Sequence, residues 1–212
     1  NCLKADYNKI FKNEIITDLI KVLGCGVEVK SKANKNLSSF NMDLLRWNKI
    51  ILCTDADVDG YQIRTLILTM LYRLTPSLIK AGKVYIAESP LFEIQNKNDI
   101  YFAYTESEKD KILGKLGGQK FTVQRSKGLG ENANVTSART LLEQAGYAGE
   151  NEPDMMNLTT MNPKTRRLIK VLPEDAENTG RVFDLLLGDN LDGRKTYIAE
   201  NGRRYMDEAD LS

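Results

Sequence analysis

Histidine is absent from this chain of 212 residues. Its three cysteines, Cys2, Cys25 and Cys53, are scattered and lack the paired spacing that a zinc site needs. A zinc centre built from nitrogen and sulfur ligands is therefore excluded. Any metal that the chain binds must be held by oxygen ligands, which suit Mg²⁺, Mn²⁺ or Ca²⁺.

The chain also lacks an apolar stretch of membrane length and the pattern of a signal peptide. We therefore expect no membrane contact, and the unpaired cysteines favour a cytoplasmic location. The formal net charge is only +1, which argues neither for nor against nucleic-acid binding, because a local basic face decides that question.

Three aspartates, Asp55, Asp57 and Asp59, occupy alternate positions at the end of an apolar run, residues 49–54. The run has the length and β-branched content of a buried strand, and helical spacing of apolar residues begins after Gly60. The carboxylates are therefore predicted on a strand-to-helix turn, where open α/β sheets bind ligands. Carboxylates this close need a cation or a basic partner, and Mg²⁺ is favoured because it uses few protein ligands.

Two other interpretations of this acidic turn deserve comparison. An EF-hand loop requires a bidentate glutamate at position twelve, but that position is Leu66, and a strand precedes the turn in place of a helix. The EF-hand interpretation therefore fails. A purely solvated acidic turn is the structural alternative to a metal site.

The segment from Thr54 to Gly60, followed by Ile63-Arg64-Thr65-Leu66, resembles the acidic Toprim motif of type IIA topoisomerase B subunits, those of DNA gyrase and topoisomerase IV. Further motifs of this family follow in the same order along nearly the whole chain. They are Leu23-Gly24-Cys25-Gly26, Val84-Tyr85-Ile86-Ala87 with Pro90-Leu91, Lys127-Gly128-Leu129-Gly130-Glu131, and Thr159-Thr160-Met161-Asn162-Pro163.

The resemblance implies a magnesium-dependent, ATP-driven enzyme that cuts both strands of DNA, passes a second duplex and reseals the break. It assigns Asp55 and Asp57 to Mg²⁺ beside the scissile phosphate, with Asp59 assisting a second position. The attacking tyrosine belongs to a partner A subunit, in a heterotetramer of two A and two B subunits. The family binds ATP in an N-terminal region, which we do not find in this chain.

The resemblance and local charge together suggest residues that contact double-stranded DNA. Glycines beside Lys127 let the backbone approach a phosphate, while the lysine supplies the charge. The candidate DNA contacts are Lys127, Arg125, Arg64 and Asn1. A second basic cluster at residues 164–170 is interpreted as a solvated helical face.

The chain departs from the family pattern in three respects. The family's fourth acidic ligand, in an EGDSA motif, falls upstream of Asn1, so we expect this chain alone not to cleave DNA. Tyr61-Gln62 stands where most gyrases have Ser-His, although an amide can still hydrogen-bond a phosphate. The triplet at residues 130–132 recurs at residues 149–151, which predicts a surface insertion at 132–150 with a short helix of its own.

The predicted fold class is α/β: a Toprim-like, Rossmann-like parallel sheet with flanking helices, lacking its first strand, and a mainly helical carboxyl-terminal tail. The predicted domains are a Toprim domain at 1–131, the insertion at 132–150 and the helical tail at 151–212.

The predicted elements follow from periodicity and capping residues. Helices are expected at Tyr7–Leu23 and Tyr61–Ala81, from Thr105 with Glu108 as capping partner, from Asn162-Pro163, and from Thr179 or Gly180 to Gly188. Strands are expected at Lys49–Thr54 and Val84–Glu88, joined by a right-handed crossover, and at Phe121–Arg125, with a hairpin formed by Leu91–Gln95 and Ile100–Tyr104.

Two other functions remain open. A haloacid-dehalogenase-like phosphatase would use Asp55 as nucleophile and Asp57 as acid/base, with Asp189 and Asp192 as its distal acidic motif. Those distal residues follow a predicted helix in place of the strand that such an enzyme needs. The second alternative is a non-catalytic module that docks a partner subunit and binds DNA, with a purely structural acidic turn.

Overall fold

The computed structural model describes residues 1–30, 32, 37–55, 58–96, 99–126, 132–134, 156–173 and 176–205. It has the mixed α/β content that the sequence predicts. The chain divides into two compact units: one comprises Asn1–Ile51, Arg64–Tyr85 and Lys170–Ser212, and the other comprises Leu52–Ile63 and Ile86–Ile169. None of the helices within the described residues combines the length and apolar character needed to cross a membrane.

The described strands are β1 (Ile50–Leu52), β2 (Val84–Ala87), β3 (Phe92–Asn96), β4 (Asp99–Ala103), β5 (Thr122–Ser126), β6 (Asn132–Asn134) and β7 (Leu168–Lys170). The described α-helices are α1 (Tyr7–Lys12), α2 (Glu14–Leu23), α3 (Val58–Leu74), α4 (Pro76–Lys80), α5 (Glu106–Leu116), α6 (Ala176–Leu187) and α7 (Leu191–Asn201). Short 3₁₀ turns at Met42–Leu44 and Gly202–Tyr205 and a π-helical turn at Asn157–Met161 complete the list.

The first helical segment is broken where a single helix, Tyr7–Leu23, was predicted. Asn13 adopts an extended conformation (φ −79°, ψ 114°), ends α1 and begins α2. Its side-chain oxygen accepts a hydrogen bond from the backbone N–H of Ile16 at 3.1 Å. The prediction was wrong because an asparagine that satisfies the first turn of a new helix competes with continuation of the old one.

The predicted helix Tyr61–Ala81 is likewise two helices. It starts earlier, at Val58, and α3 ends at Leu74, because Pro76 has no backbone N–H to continue the ladder and instead occupies the first turn of α4. Glu28 caps α4 from a distant part of the chain. Its carboxylate accepts hydrogen bonds from the backbone N–H and the hydroxyl of Ser77 at 2.7 and 3.0 Å.

The first unit is built around an apolar core. Helix α3 contributes Met70, Leu71 and Leu74, of which Leu71 and Leu74 are each only 1% exposed. Helix α6 packs against α3 through Tyr72 and Phe183. The two rings stack with their centroids 4.7 Å apart. The buried core residues are Cys2, Ile10, Ile20, Leu23, Cys25, Val27, Met70, Leu71, Leu74, Leu78, Ile79 and Val84.

A three-stranded sheet has the order β1-β2-β7. Strand β7 lies in the tail that was predicted to be mainly helical, and no helix begins at Asn162-Pro163. Asn162 instead ends the π-helical turn, and its side chain accepts a hydrogen bond from the backbone N–H of Lys164 at 3.0 Å. The backbone N–H of Val171 donates to the carbonyl of Val84 at 2.9 Å, so pairing with β2 overrides local helical preference.

The second sheet was not predicted as a separate layer. It has four strands in the order β4-β3-β5-β6, and all three pairings are antiparallel. The predicted hairpin is confirmed by the pairing of β3 with β4, while residues 97 and 98 of its turn lie outside the described residues. Phe92, Ile94 and Ala103 are buried in this sheet.

The helix predicted from Thr105 is confirmed as α5. The hydroxyl of Thr105 accepts a hydrogen bond from the backbone N–H of Glu108 at 3.1 Å, and Glu108 in return accepts one from the backbone N–H of Tyr104 at 2.9 Å. In the tail, α6 begins at Ala176, earlier than predicted, and is followed by Gly188.

The predicted insertion at 132–150 is described only at its start. Asn132–Asn134 form β6, which pairs with β5, whereas the short helix expected within the insertion lies outside the described residues. The domain limits at 1–131, 132–150 and 151–212 stay predictions, as does the parallel, right-handed crossover between β1 and β2.

Candidate metal centre

The acidic turn lies between β1 and α3. Asp55 follows the end of β1 by three residues, and Asp59 is in the first turn of α3. Both side chains are exposed. Asp57 lies outside the described residues. The structure therefore places Asp55 and Asp59 at the two ends of a strand-to-helix turn, the position expected from the sequence.

Gly60 explains how the main chain of Asp55 can lie so close to the start of α3. It is buried in the first turn of α3, and a Cβ atom there would overlap the carbonyl oxygen of Asp55 and lie 2.8 Å from its carbonyl carbon and 2.9 Å from its nitrogen. No positive φ is involved, so glycine is required for close approach. The main chain of Asp55 therefore approaches the start of the helix more closely than a side chain at residue 60 would allow.

The turn can attract both an anion, through the N-terminus of α3, and a cation, through its carboxylates. The N-terminus of α3 carries the partial positive charge of its free N–H groups, which favours nearby carboxylates and phosphate. Among the described residues no group of three histidine, cysteine or acidic side chains is arranged to hold a metal, and Asp57 is outside that set. The carboxylates of Asp55 and Asp59 are oxygen donors of the kind that suits Mg²⁺, which keeps waters and accepts substrate oxygens.

Comparison with known proteins bears on what this turn does. A sequence model described as Toprim domain matches residues 6–89, which contain the acidic turn, and one described as DNA gyrase B subunit, carboxyl terminus, matches residues 148–199. The DNA gyrase B subunit of Thermotoga maritima is 36% identical over 198 residues, which cover 93% of this chain. The DNA gyrase B subunit of Halalkalibacterium halodurans is 37% identical over 212 residues, which cover 100% of it.

The chain belongs to the gyrase B family of type IIA topoisomerase subunits. It spans 27% of the Thermotoga maritima protein and 29% of the Halalkalibacterium halodurans protein. The family models flank residues 90–147, which contain α5 and the antiparallel sheet. The order of motifs along the chain therefore identified the family correctly.

Two of the DNA contacts expected for this family fall on the antiparallel sheet or directly after it. Arg125 is exposed on β5, where it pairs with Phe92 on one side and Ala133 on the other. Lys127 follows β5 and lies outside the described residues. Asp55, Asp59 and Arg125 belong to the same compact unit. A DNA-binding role for Arg125 and Lys127 stays a prediction.

The other two candidates, Arg64 and Asn1, belong to the first unit. Arg64 is partly buried on α3, one helical turn after Gly60. The Asn1 amide donates to the carbonyl of Leu187 at 3.1 Å, and its side-chain oxygen accepts from the backbone N–H of Leu3 at 2.9 Å. These bonds attach the start of the chain to the end of α6, and contact with DNA stays a prediction for both residues.

The distal acidic motif of a phosphatase is not reproduced by the structure. Gly188 and Asp189 follow a helix, α6, as the sequence predicted, and Asp192 lies in the first turn of α7. The Asp189 carboxylate pairs with the Lys4 ammonium at 2.8 Å, and this contact lowers the pKa of Asp189.

The basic cluster at 164–170 was wrongly placed on a helix. Lys164 lies in a turn and Lys170 in β7, while the Arg167 guanidinium pairs with Glu108 at 2.9 Å and lies 3.8 Å from the centre of the Tyr104 ring. Sequence reasoning missed this arrangement because Glu108 and Arg167 are 59 positions apart. No local pattern connects them.

Proposed function

We propose that this chain supplies the acidic, metal-binding part of a type II DNA topoisomerase that reversibly cleaves both strands of double-stranded DNA. The observation that carries the proposal is the acidic turn of Asp55 and Asp59, held against α3 by Gly60, inside the region matched by the Toprim family. The parent enzyme is a gyrase or topoisomerase IV of two A and two B subunits, acting in the cytoplasm.

Asp55 and Asp57 would hold Mg²⁺, with Asp59 serving a second position, and Mn²⁺ or Ca²⁺ could substitute. The oxygen-only donor set supports this assignment. When bound, the ion polarises a phosphoryl oxygen and stabilises the leaving 3′ oxygen. In this scheme ATP binds to the N-terminal region that the family resemblance implies. We propose no ATP-binding role for the residues of this chain.

The protein's own groups have separate tasks in this scheme. The N-terminus of α3 attracts a phosphate to the turn, and Gly60 leaves room for the main chain of Asp55 beside that terminus. Arg125 and Lys127 neutralise phosphates of the bound duplex, which supplies affinity without sequence preference. The nucleophile is a tyrosine of the A subunit.

The test uses the complete B subunit assembled with its A subunit. Asp55→Asn should lower DNA cleavage in Mg²⁺ by about a hundredfold or more, since even residues that only support metal ligands contribute 10- to 100-fold. Asp110→Asn removes an equivalent exposed carboxylate from α5 and should leave cleavage unchanged.

Undiminished cleavage by Asp55→Asn, with normal assembly, would reject the catalytic proposal and favour a passive docking module. Hydrolysis of p-nitrophenyl phosphate in Mg²⁺ tests the phosphatase alternative. Robust turnover that Asp55→Asn abolishes would favour the phosphatase alternative instead.

A further inference from the structure

A cluster of one cation, one carboxylate and one aromatic ring lies at the start of α5. Arg167 donates a hydrogen bond to one carboxylate oxygen of Glu108 at 2.9 Å, and its guanidinium lies 3.8 Å from the centre of the Tyr104 ring. The other carboxylate oxygen of Glu108 accepts the backbone N–H of Tyr104 at 2.9 Å. We call these three residues the Arg167 clasp.

The backbone of Arg167 makes a further connection. Its carbonyl accepts a hydrogen bond from the backbone N–H of Glu88 at 3.1 Å, directly after β2. Arg167 therefore connects three separate segments: the end of β2, the junction between β4 and α5, and the start of β7. Burial raises the pKa of Tyr104, which agrees with a ring covered by its neighbours.

The clasp lies at one end of a row of paired residues across the antiparallel sheet. Ala103, which precedes Tyr104, pairs with Phe92, Phe92 pairs with Arg125, and Arg125 pairs with Ala133. Adjacent strands are about 4.8 Å apart, so Ala103 and Arg125 are separated by about 10 Å in the backbone. A single residue of the row, Phe92, therefore separates the β4–α5 junction from Arg125.

We infer that Arg167 is a positioning residue for DNA binding, which acts on Arg125 through the clasp and the sheet row. The inference rests on the proposed function, since that function assigns Arg125 to DNA. Arg167 itself donates a hydrogen bond to Glu108 and is covered on one side by Tyr104. Its guanidinium therefore already has partners within the protein.

The first experiment measures DNA affinity and cleavage separately in the complete B subunit assembled with its A subunit. Arg167→Ala should raise the Kd for DNA measurably, by at most about fivefold, because the combined strength of one partly exposed ion pair and one ring contact sets the limit. The cleavage rate at saturating DNA should stay within about twofold, because the acidic turn is untouched. Lys115→Ala removes the same charge from the exposed surface of α5 and should change neither quantity.

A double-mutant cycle distinguishes positioning from direct contact. Should Arg167 act through Arg125, the double variant Arg125→Ala with Arg167→Ala will bind DNA as weakly as Arg125→Ala alone. Two independent phosphate contacts would instead give losses that multiply, because energetically separate sites are additive. Multiplying losses would overturn the inference.

The ring provides a second set of variants that does not depend on the folding of Arg167→Ala. Tyr104→Phe keeps the face that Arg167 contacts and should retain wild-type affinity, whereas Tyr104→Leu should weaken binding as Arg167→Ala does. Wild-type affinity in both Arg167→Ala and Tyr104→Leu, with Asp55→Asn inactive, would overturn the clasp and leave the proposed function standing. Active Asp55→Asn would overturn the proposed function itself.

Discussion

Gly60→Ala tests the close approach of the Asp55 main chain to the first turn of α3. The new Cβ would overlap the Asp55 carbonyl oxygen and lie under 3.0 Å from two more atoms of the same backbone, at 2.8 and 2.9 Å. None of these atoms belongs to a flexible side chain that could rotate away. The main chain of Asp55 must therefore move relative to the helix.

The change in the free energy of unfolding expected for Gly60→Ala has two opposing contributions. Overpacking of this kind costs about 1–3 kcal/mol, whereas alanine in place of glycine inside a helix gains about 1 kcal/mol. Gly114→Ala isolates the gain, because Gly114 lies within α5 and a Cβ there has no neighbour within 4 Å. The two variants should therefore differ in free energy of unfolding by about 1–3 kcal/mol, with Gly60→Ala the less stable.

Catalysis should be affected more than stability. A displacement of about 1 Å at a reacting site can cost about a hundredfold in rate. Urea unfolding of the chain, followed by circular dichroism, measures the first effect, and Mg²⁺-dependent DNA cleavage by the assembled enzyme measures the second. Gly114→Ala should be about 1 kcal/mol more stable than wild type and fully active.

One pattern of results for the two glycine variants would refute this reasoning. Equal stabilisation by Gly60→Ala and Gly114→Ala, together with wild-type cleavage by both, would show that the turn accepts a side chain without moving Asp55. The compact turn would then have no part in placing the carboxylates, and the structural basis of the proposed site would be lost.

Three further predictions concern stability, pH and thiol chemistry. Glu28→Ala leaves the Ser77 donors without their acceptor and should lower the free energy of unfolding by about 1–3 kcal/mol in urea titrations, which equal midpoints would contradict. A hydrogen bond from a backbone N–H is the main cause of the lowered pKa of Glu108, so its stabilisation is complete above the unfolded-state pKa of about 4.3 and disappears as the pH falls through the folded-state value. Wild type and Glu108→Gln should therefore converge in stability in acid, and a constant difference across a pH series would refute this. Burial raises the pKa of Cys25, so mass spectrometry should find iodoacetamide on exposed Cys53 first, and earlier modification of Cys25 would disprove the burial.

Features with local causes could be predicted from the sequence. The turn between β1 and α3 follows from an apolar run, alternating carboxylates and Gly60, all within about a dozen residues. The cap of α5 follows from Thr105 and Glu108, three positions apart. In each case the residues that determine the structure are neighbours in the chain, so their spacing alone carries the information.

Two helices were predicted too long although the sequence contains local signals that end them. Pro76 forbids continuation of the α3 hydrogen-bond ladder, and asparagine, here Asn13, is a preferred N-cap residue, yet both were placed inside longer helices. Helical spacing of apolar residues continued across both positions because the two helices on either side face the same core. Periodicity reports which face is buried, and it does not report whether the backbone is continuous.

The strand β7 and the Arg167 clasp could not be predicted from local pattern. Residues 168–170 form a strand because β2, more than eighty positions earlier, offers a free edge, and Arg167 finds Glu108 only once that pairing exists. A motif can thus locate the residues that are proposed to perform chemistry, since these lie close together in one short turn. The residues that we propose to position a distant DNA contact are set by strand register, so they emerge only from the assembled sheet. For this chain, substitutions in the acidic turn should therefore abolish cleavage, whereas substitutions in the clasp should weaken DNA binding and leave cleavage intact.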